Sequence, residues 1–246
     1  MGVDHVSRRL AWNNLVNARD LGGFVTSEGK RTRARAFVRA DTLSHLTEEG
    51  KQAALDYGVR TIVDLRYPGE VRERPNPLAG HPGVHYHHVS LLEEGDRDSD
   101  MLFISSRAAW HIRVLEQRKP YVAEIMRLFV NAPEGGIVFH CFVGKDRTGV
   151  IAALLLDLVG VPQDAIIADY HVSEQNLETL HQQWLATFAD EVQRSFMAQY
   201  TTCPPSAMAH ALEYLGERYN GTWGYLRDAG LDEAELRALR ERLLIW

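Results

Sequence analysis

The apolar run Gly136-Ile137-Val138-Phe139 enters the decapeptide His140-Cys141-Phe142-Val143-Gly144-Lys145-Asp146-Arg147-Thr148-Gly149, and a longer apolar run, Val150 to Val159, leaves it. That order predicts a buried strand, a tight loop and a buried helix. A strand that feeds straight into a helix commits the chain to α/β architecture, because both elements must bury apolar surface in the same core. A loop in this position turns its backbone N–H groups toward a helix N-terminus, where partial positive charge favours an anion. The same field favours a thiolate over a thiol. Arg147, separated from Cys141 by five residues, adds a planar fork that matches two oxygens of a phosphate. Nucleophile, oxyanion cradle and charge clamp thus fall within seven residues, and they point to attack of Cys141 on phosphorus through a phosphocysteine intermediate. An inert buried cysteine is the bland alternative. A nucleotide-binding P-loop fails on the residues, since it needs glycine where Phe139 stands and Ser or Thr where Asp146 stands.

Strands and helices alternate along the rest of the chain. Phe37 to Ala40 and Thr61 to Leu65 read as buried strands, with a helix from Thr47 to about Tyr57 between them. Val84 to Leu91 reads as another strand. Pro120 suits the first turn of a helix, and Val122, Ile125, Met126, Phe129 and Val130 share one helical face. Asn131 to Gly136 breaks that helix before the strand ending at Cys141. Asp232 and Glu235 have capping-box spacing ahead of a last helix. The expected fold is a single α/β domain over residues 1–246, with a mostly parallel central sheet and helices on both faces. In such sheets ligands bind at the carboxyl ends of strands, where Cys141 falls.

Charge and cysteine content exclude several function classes. The net charge of -6 and the lack of a lysine–arginine run argue against a nucleic-acid partner. Two cysteines, Cys141 and Cys203, cannot make a disulfide framework, and the first ten residues lack the apolar stretch of a signal peptide. Both observations favour the cytoplasm. The run Val150 to Val159 is too short to span a bilayer and is broken by Asp157. His81, His85, His87 and His88 form a histidine-rich patch, but a metal site needs more convergent ligands. Cys203 reads as a loop residue, and no feature of the sequence sets an oligomeric state.

The loop resembles the signature of the cysteine-dependent protein-tyrosine phosphatase superfamily. It is most similar to the bacterial branch of phosphotyrosine and phosphoinositide phosphatases that includes the secreted mycobacterial enzyme. Further segments carry the resemblance: Asn17 to Gly23, Val38 to Ser44, Thr61 to Arg66 with Glu70 and Arg72, Asp169-Tyr170-His171, and Tyr225 to Leu231. It weakens over about Glu93 to Lys119 and Ser173 to Ser206. The resemblance implies a phosphatase-type fold and phosphate monoester hydrolysis, without a cofactor, on phosphotyrosine proteins with relaxed specificity. A phosphoinositide phosphatase is the alternative. A phosphate-binding adaptor and a sulfurtransferase using a cysteine loop are readings from other classes.

Roles follow from what phosphate monoester cleavage requires. Cys141 attacks in line, while the backbone N–H groups of Phe142, Val143, Gly144, Lys145, Asp146 and Arg147 hold the equatorial oxygens with the Arg147 guanidinium. Lys145 is expected to add a second cation at the loop floor. Thr148 is expected to donate its hydroxyl to the cysteine sulfur when that sulfur is the leaving group in the second step, and His140 to order the loop. Asp64 and Arg66 read as a buried ion pair shaping the site. Asp146 is the first choice for the general acid because its place in the loop guarantees proximity. Glu93 and Asp96, after the strand ending near Leu91, are the second. The stretch 173–206, with Leu177, Leu180, Trp184, Leu185 and Phe188 at helical spacing, is expected either to cover the site as a lid or to be an ordinary core helix.

Overall fold

The computed structural model describes residues 8–92 and 106–245. Its centre is a five-stranded sheet of β1 (Arg19–Asp20), β3 (Phe37–Ala40), β4 (Val59–Asp64), β5 (His85–His88) and β6 (Gly136–His140), in the order β1-β3-β6-β4-β5. Every neighbouring pair is parallel except the antiparallel edge β1/β3. A separate two-stranded ribbon pairs β2 (Arg31–Thr32) with β7 (Leu244–Ile245).

Side-chain alternation along the strands divides the core. On one face Phe37, Val63, Ile137 and Phe139 join a large cluster. On the other, Val38, Ala40, Ile62 and Val138 pack with Trp12, Leu15 and Leu43. This period of two lets one central strand feed both layers. The second layer is closed by α1 (Glu48–Tyr57), which Thr47 caps by accepting from the Gly50 N–H at 3.1 Å. The larger layer holds α3 (Arg107–Gln117), α4 (Lys119–Asn131) and α5 (Asp146–Leu158), which follow the short α2 (Pro68–Glu73) in the chain. Then come α6 (Gln163–Leu185), α7 (Glu191–Ala198), α8 (Pro205–Tyr219), α9 (Thr222–Asp228) and α10 (Glu233–Leu243). In α4, Val122, Ile125, Met126 and Phe129 are fully buried, each contributing about 1.5–3 kcal/mol by leaving water. α10 begins in a reciprocal capping box between Asp232 and Glu235, as their spacing implied.

The expected mostly parallel sheet, helices on both faces and strand–loop–helix around Cys141 all appear. Two differences concern local boundaries. The strand expected over Val84 to Leu91 is regular only from His85 to His88, because the Ser90 hydroxyl donates to the Leu92 carbonyl at 2.6 Å and turns the chain. Cys203 does lie between helices, but it is wholly buried, and burial pushes its thiol up to about 12. No helix among the described residues is long and apolar enough to cross a membrane.

Strands β3, β4 and β6 all end on the same side, so the segments after them converge. Leu65, just past β4, donates its N–H to the His140 carbonyl at 2.8 Å, and Thr42, just past β3, donates to the Phe142 carbonyl at 2.9 Å. The loop from Cys141 to Arg147 is thereby seated between its two neighbours.

Candidate active site

The loop leaves β6 at Cys141, turns at Gly144 and enters α5 at Asp146. Gly144 has φ of 69°, and a Cβ there would collide with the Ala40 carbonyl. No other residue fits this turn without moving β3. The turn exposes carbonyls on its outer side, and buried side chains collect them. Asn17 Nδ2 donates to the carbonyls of Val143 at 2.9 Å and Gly144 at 3.1 Å. Arg39 donates to those of Gly144 at 2.8 Å and Lys145 at 3.2 Å. With its carbonyls held outward, the loop leaves its amides inward. Among the described residues, none of the N–H groups of Phe142, Val143, Gly144 and Lys145 has a backbone acceptor. Four unmatched donors beside a helix N-terminus make an anion cradle.

The holders are themselves held. Asp169 on α6 accepts from Arg8 at 3.0 Å, Arg19 at 3.1 Å and Arg39 at 2.7 Å. Burial alone would raise its pKa, but Arg19, Arg39 and Arg8 outweigh burial and keep it ionised far below the usual carboxylate range. Burial and the neighbouring Arg19 bring Arg39 down to about 10, still charged at neutral pH. Asp41 fixes the approach of the first segment by accepting from the N–H groups of Val16 and Asn17, each at 3.0 Å.

Cys141 is almost wholly buried at the floor of a cavity of about 470 Å³. Arg147 lines the same cavity and forms a two-toothed pair with Glu70, at 2.7 and 3.1 Å. Burial works against its charge, but Cys141 and Glu70 more than compensate, and the guanidinium stays above its ordinary pKa. Glu70 is turned toward Arg147 by α2, whose first turn it closes by accepting the Tyr67 N–H at 2.7 Å. Sequence reasoning marked Glu70 only as part of a motif and missed this brace. Its signal was there: Pro68 starting a helix, with an acid two residues on.

Asp64 and Arg66 form the expected buried pair, at 2.7 Å with both side chains fully enclosed. Arg66 also donates to Thr42 and Ser44 and to the Arg74 carbonyl, tying the segments after β3 and β4 together. His140 Nδ1 donates to the Cys141 carbonyl, 3.0 Å away, and Nε2 lies 3.3 Å from Asn76 Nδ2. Burial holds its pKa below the usual imidazole value, so it acts as a neutral spacer under the loop.

Asp146, inside the loop, is held by three side chains. Arg107 donates to it at 2.9 Å, Tyr170 at 2.8 Å, and His111 lies at 3.3 Å. Burial would raise its pKa, but Lys145 and Arg107 overcome that and hold it well below the carboxylate range. Lys145 itself is buried and lines the same cavity as Cys141 and Arg147. Its ammonium donates to the carbonyls of Tyr200 at 2.7 Å and Thr202 at 3.2 Å. The Thr148 hydroxyl is buried with no hydrogen-bond partner among the described residues. Glu93 and Asp96 lie outside the described residues. No group of histidines, cysteines or carboxylates able to hold a metal occurs among the described residues, the histidines around His85 included.

Beyond the loop, much of the cavity lining is apolar or aromatic, from Tyr67, Leu92, Trp110, Leu180 and Trp184. Leu180, His181 and Trp184 come from the last two turns of α6, and Tyr200 follows α7. Of the apolar positions noted in this stretch, Leu177 is fully buried in the body of the protein, while Leu180 and Trp184 are largely exposed at the cavity. No residue of α7 is buried.

The tyrosine phosphatase family model matches residues 10–245, nearly the whole chain. This chain belongs to the tyrosine phosphatase family. A tyrosine-protein phosphatase of Nostoc commune is 32% identical over 222 residues, covering 85% of this chain and 74% of the relative. The triple specificity protein phosphatase PtpB of Mycobacterium tuberculosis is 26% identical over 276 residues, covering 95% of this chain and 97% of the relative. Membership fits the cysteine, the arginine and the amide cradle in one loop, and makes the protein a protein-tyrosine phosphatase.

Proposed function

We propose that this phosphatase cleaves phosphate monoesters through a phosphocysteine intermediate on Cys141, acting on phosphotyrosine in proteins with relaxed specificity. The observation that carries the reading is the cradle of inward amides closed by Arg147, directly above a buried cysteine. Phosphate oxygens seated there receive donors already in place, so little reorganisation is needed as charge develops. Cys141 attacks in line, its sulfur–phosphorus bond forming as the ester oxygen leaves. Water then attacks phosphorus and returns the thiolate.

Asp146 is the residue we assign to proton transfer in both halves. Its resting ionised form suits the second half, where it takes a proton from the attacking water. In the first half it must carry a proton to the leaving oxygen, and a bound phosphate dianion works in that direction by offsetting Lys145 and Arg107. The Thr148 hydroxyl, free of any partner among the described residues, supports a role toward sulfur in the second half. We assign the stretch 173–206 as a lid over the site, on the support that its residues wall the cavity while α7 buries nothing.

The cavity's apolar wall suits an aryl ring, which favours phosphotyrosine over a polyol phosphate. A phosphoinositide substrate is the second reading, and Lys145, a further cation lining the cavity beside Arg147, is what favours it. Both cysteines are free thiols, which agrees with a reducing, cytoplasmic setting. The test is hydrolysis of p-nitrophenyl phosphate, a panel of phosphopeptides and phosphoinositides, with vanadate as competitor. Vanadate-sensitive turnover with phosphotyrosine peptides preferred is expected. Turnover of thiosulfate with cyanide, and none of the phosphate esters, would overturn the assignment.

A further inference from the structure

Arg74 closes α2 on the mouth of the cavity. Its N–H donates to the Glu70 carbonyl at 3.1 Å, so it stands one helical turn beyond the residue that braces Arg147. A turn separates their backbones by about 6 Å along the axis. The Arg74 carbonyl is fixed by two further donors, Arg66 and the Ser44 hydroxyl, each at 2.7 Å. The backbone under this side chain is therefore part of the same frame that positions the catalytic loop.

The guanidinium has unusual company for an arginine. It sits 5.6 Å from the centre of the Phe142 ring and 3.3 Å from His45 Nε2. No carboxylate among the described residues pairs with it, whereas Arg66, Arg107 and Arg147 each have one. Glu70, the acid nearest in sequence on its own face, is spent on Arg147. The aromatic contact orients the planar fork, and with Nη1 donating to His45 its other N–H donors stay available. Such a fork, exposed at a cavity mouth, is prepared for an anion that the free protein does not supply.

We propose that Arg74 forms a second anion subsite, which takes the carboxylate of an acidic residue one or two positions from the phosphotyrosine of a peptide substrate. This inference rests on the phosphotyrosine reading above. The apolar wall of Trp110, Leu180 and Trp184 suits the tyrosyl ring, so the peptide backbone lies across the mouth. One extended residue advances the chain by about 3.3 Å, which brings a neighbouring aspartate or glutamate within reach of the fork.

The experiment compares kcat/KM for three phosphotyrosine peptides that differ only at the flanking position: Asp, Ala or Lys. The wild-type protein is expected to prefer the Asp peptide over the Ala peptide by about fivefold, with the Lys peptide slowest, and to lose that spread at high salt. Arg74→Ala should bring the three values together, and Arg74→Glu should invert their order. Because each protein is compared with itself across the peptides, a general loss of activity does not move the readout. Equal values in the wild type, or a preference that survives in Arg74→Ala, would overturn the subsite and leave the phosphotyrosine reading standing. Turnover of p-nitrophenyl phosphate with no hydrolysis of any of the three peptides would overturn both.

Discussion

Two stretches face each other across the cavity, and they are built on opposite terms. The loop from Cys141 to Arg147 is clamped from behind by Asn17, Arg39 and Thr42 and from the side by Glu70. Every clamp is itself part of a buried pair or network. The end of α6 and all of α7 touch the rest of the protein lightly. Val192 and Phe196 are 78% and 51% exposed, and the return from α7 is fastened mainly where Arg107 and Lys145 donate to the Tyr200 carbonyl. Charge stabilisation in a transition state demands fixed donors. Admission and release of substrate demand the reverse, a region of low local stability. On the proposed assignment of 173–206 as a lid, one cavity thus joins a rigid floor to a loosely fastened roof.

Breaking the floor should produce the largest effects. Cys141→Ser is expected to lower turnover about 10³-fold or more while phosphate or vanadate still binds, because the amide cradle remains. Appreciable activity in that variant, measured with p-nitrophenyl phosphate, would remove the phosphocysteine route. Arg147→Lys keeps a charge and loses the two-toothed contact, so kcat should fall about 10²-fold with a smaller change in KM. A near-normal kcat would mean that Arg147 only supports the loop.

Asp146 lies at the junction of floor and roof, and its variants sharpen the comparison. Asp146→Asn should slow phenyl phosphate by about 10²-fold or more and p-nitrophenyl phosphate far less, since a good leaving group departs without its proton. Arg107→Gln removes a cation that now depresses the Asp146 pKa. The carboxyl should then hold its proton to higher pH, and the basic limb of kcat/KM should move upward. The sign follows from the pair: a carboxylate loses its proton less readily once the neighbouring positive charge is gone. A basic limb that stays in place while phenyl phosphate still slows in Asp146→Asn would mean that Arg107 serves only to seat Tyr200.

The roof should answer weakly to the same kind of test. Val192→Ser and Phe196→Ser are expected to change the unfolding free energy from urea titration by no more than about 0.5 kcal/mol, as exposed substitutions do. Gly144→Ala, by contrast, forces a side chain into positive φ against β3 and should cost about 1–3 kcal/mol. Amide exchange in α7 should be fast beside that in α5. Equal protection in the two helices would contradict a loosely fastened roof.

Much of the floor was legible in the sequence and little of the roof. The run from Gly136 to Val159 specifies its own structure, since a buried strand, a glycine turn and a buried helix are all local signals. Asp64 and Arg66, two residues apart at a strand end, also announced their pairing. The brace on Arg147 was hidden because Glu70 lies 77 residues away, and only the sheet order brings the two together. The partners of Lys145 were hidden for a similar reason: the carbonyls that hold its ammonium come from Tyr200 and Thr202, more than fifty residues on. Apolar spacing from Leu177 to Phe188 spoke for a helix without saying whether its face met a core or a cavity.

The node at Asp169 carries a consequence for how the chain reaches its active form. Its three arginines come from residues 8, 19 and 39, up to 161 positions away, and Arg39 is the one that also grips the catalytic loop. Contacts of such separation close large loops of chain and form slowly. The strand–loop–helix around Cys141 can assemble from neighbours in sequence, yet its carbonyls are gathered only once α6 has docked against the N-terminal segment. Recovery of activity after dilution from denaturant should therefore lag behind recovery of secondary structure. During that interval Cys141 is a thiol without its fixed surroundings, open to oxidants that the finished cavity keeps at a distance.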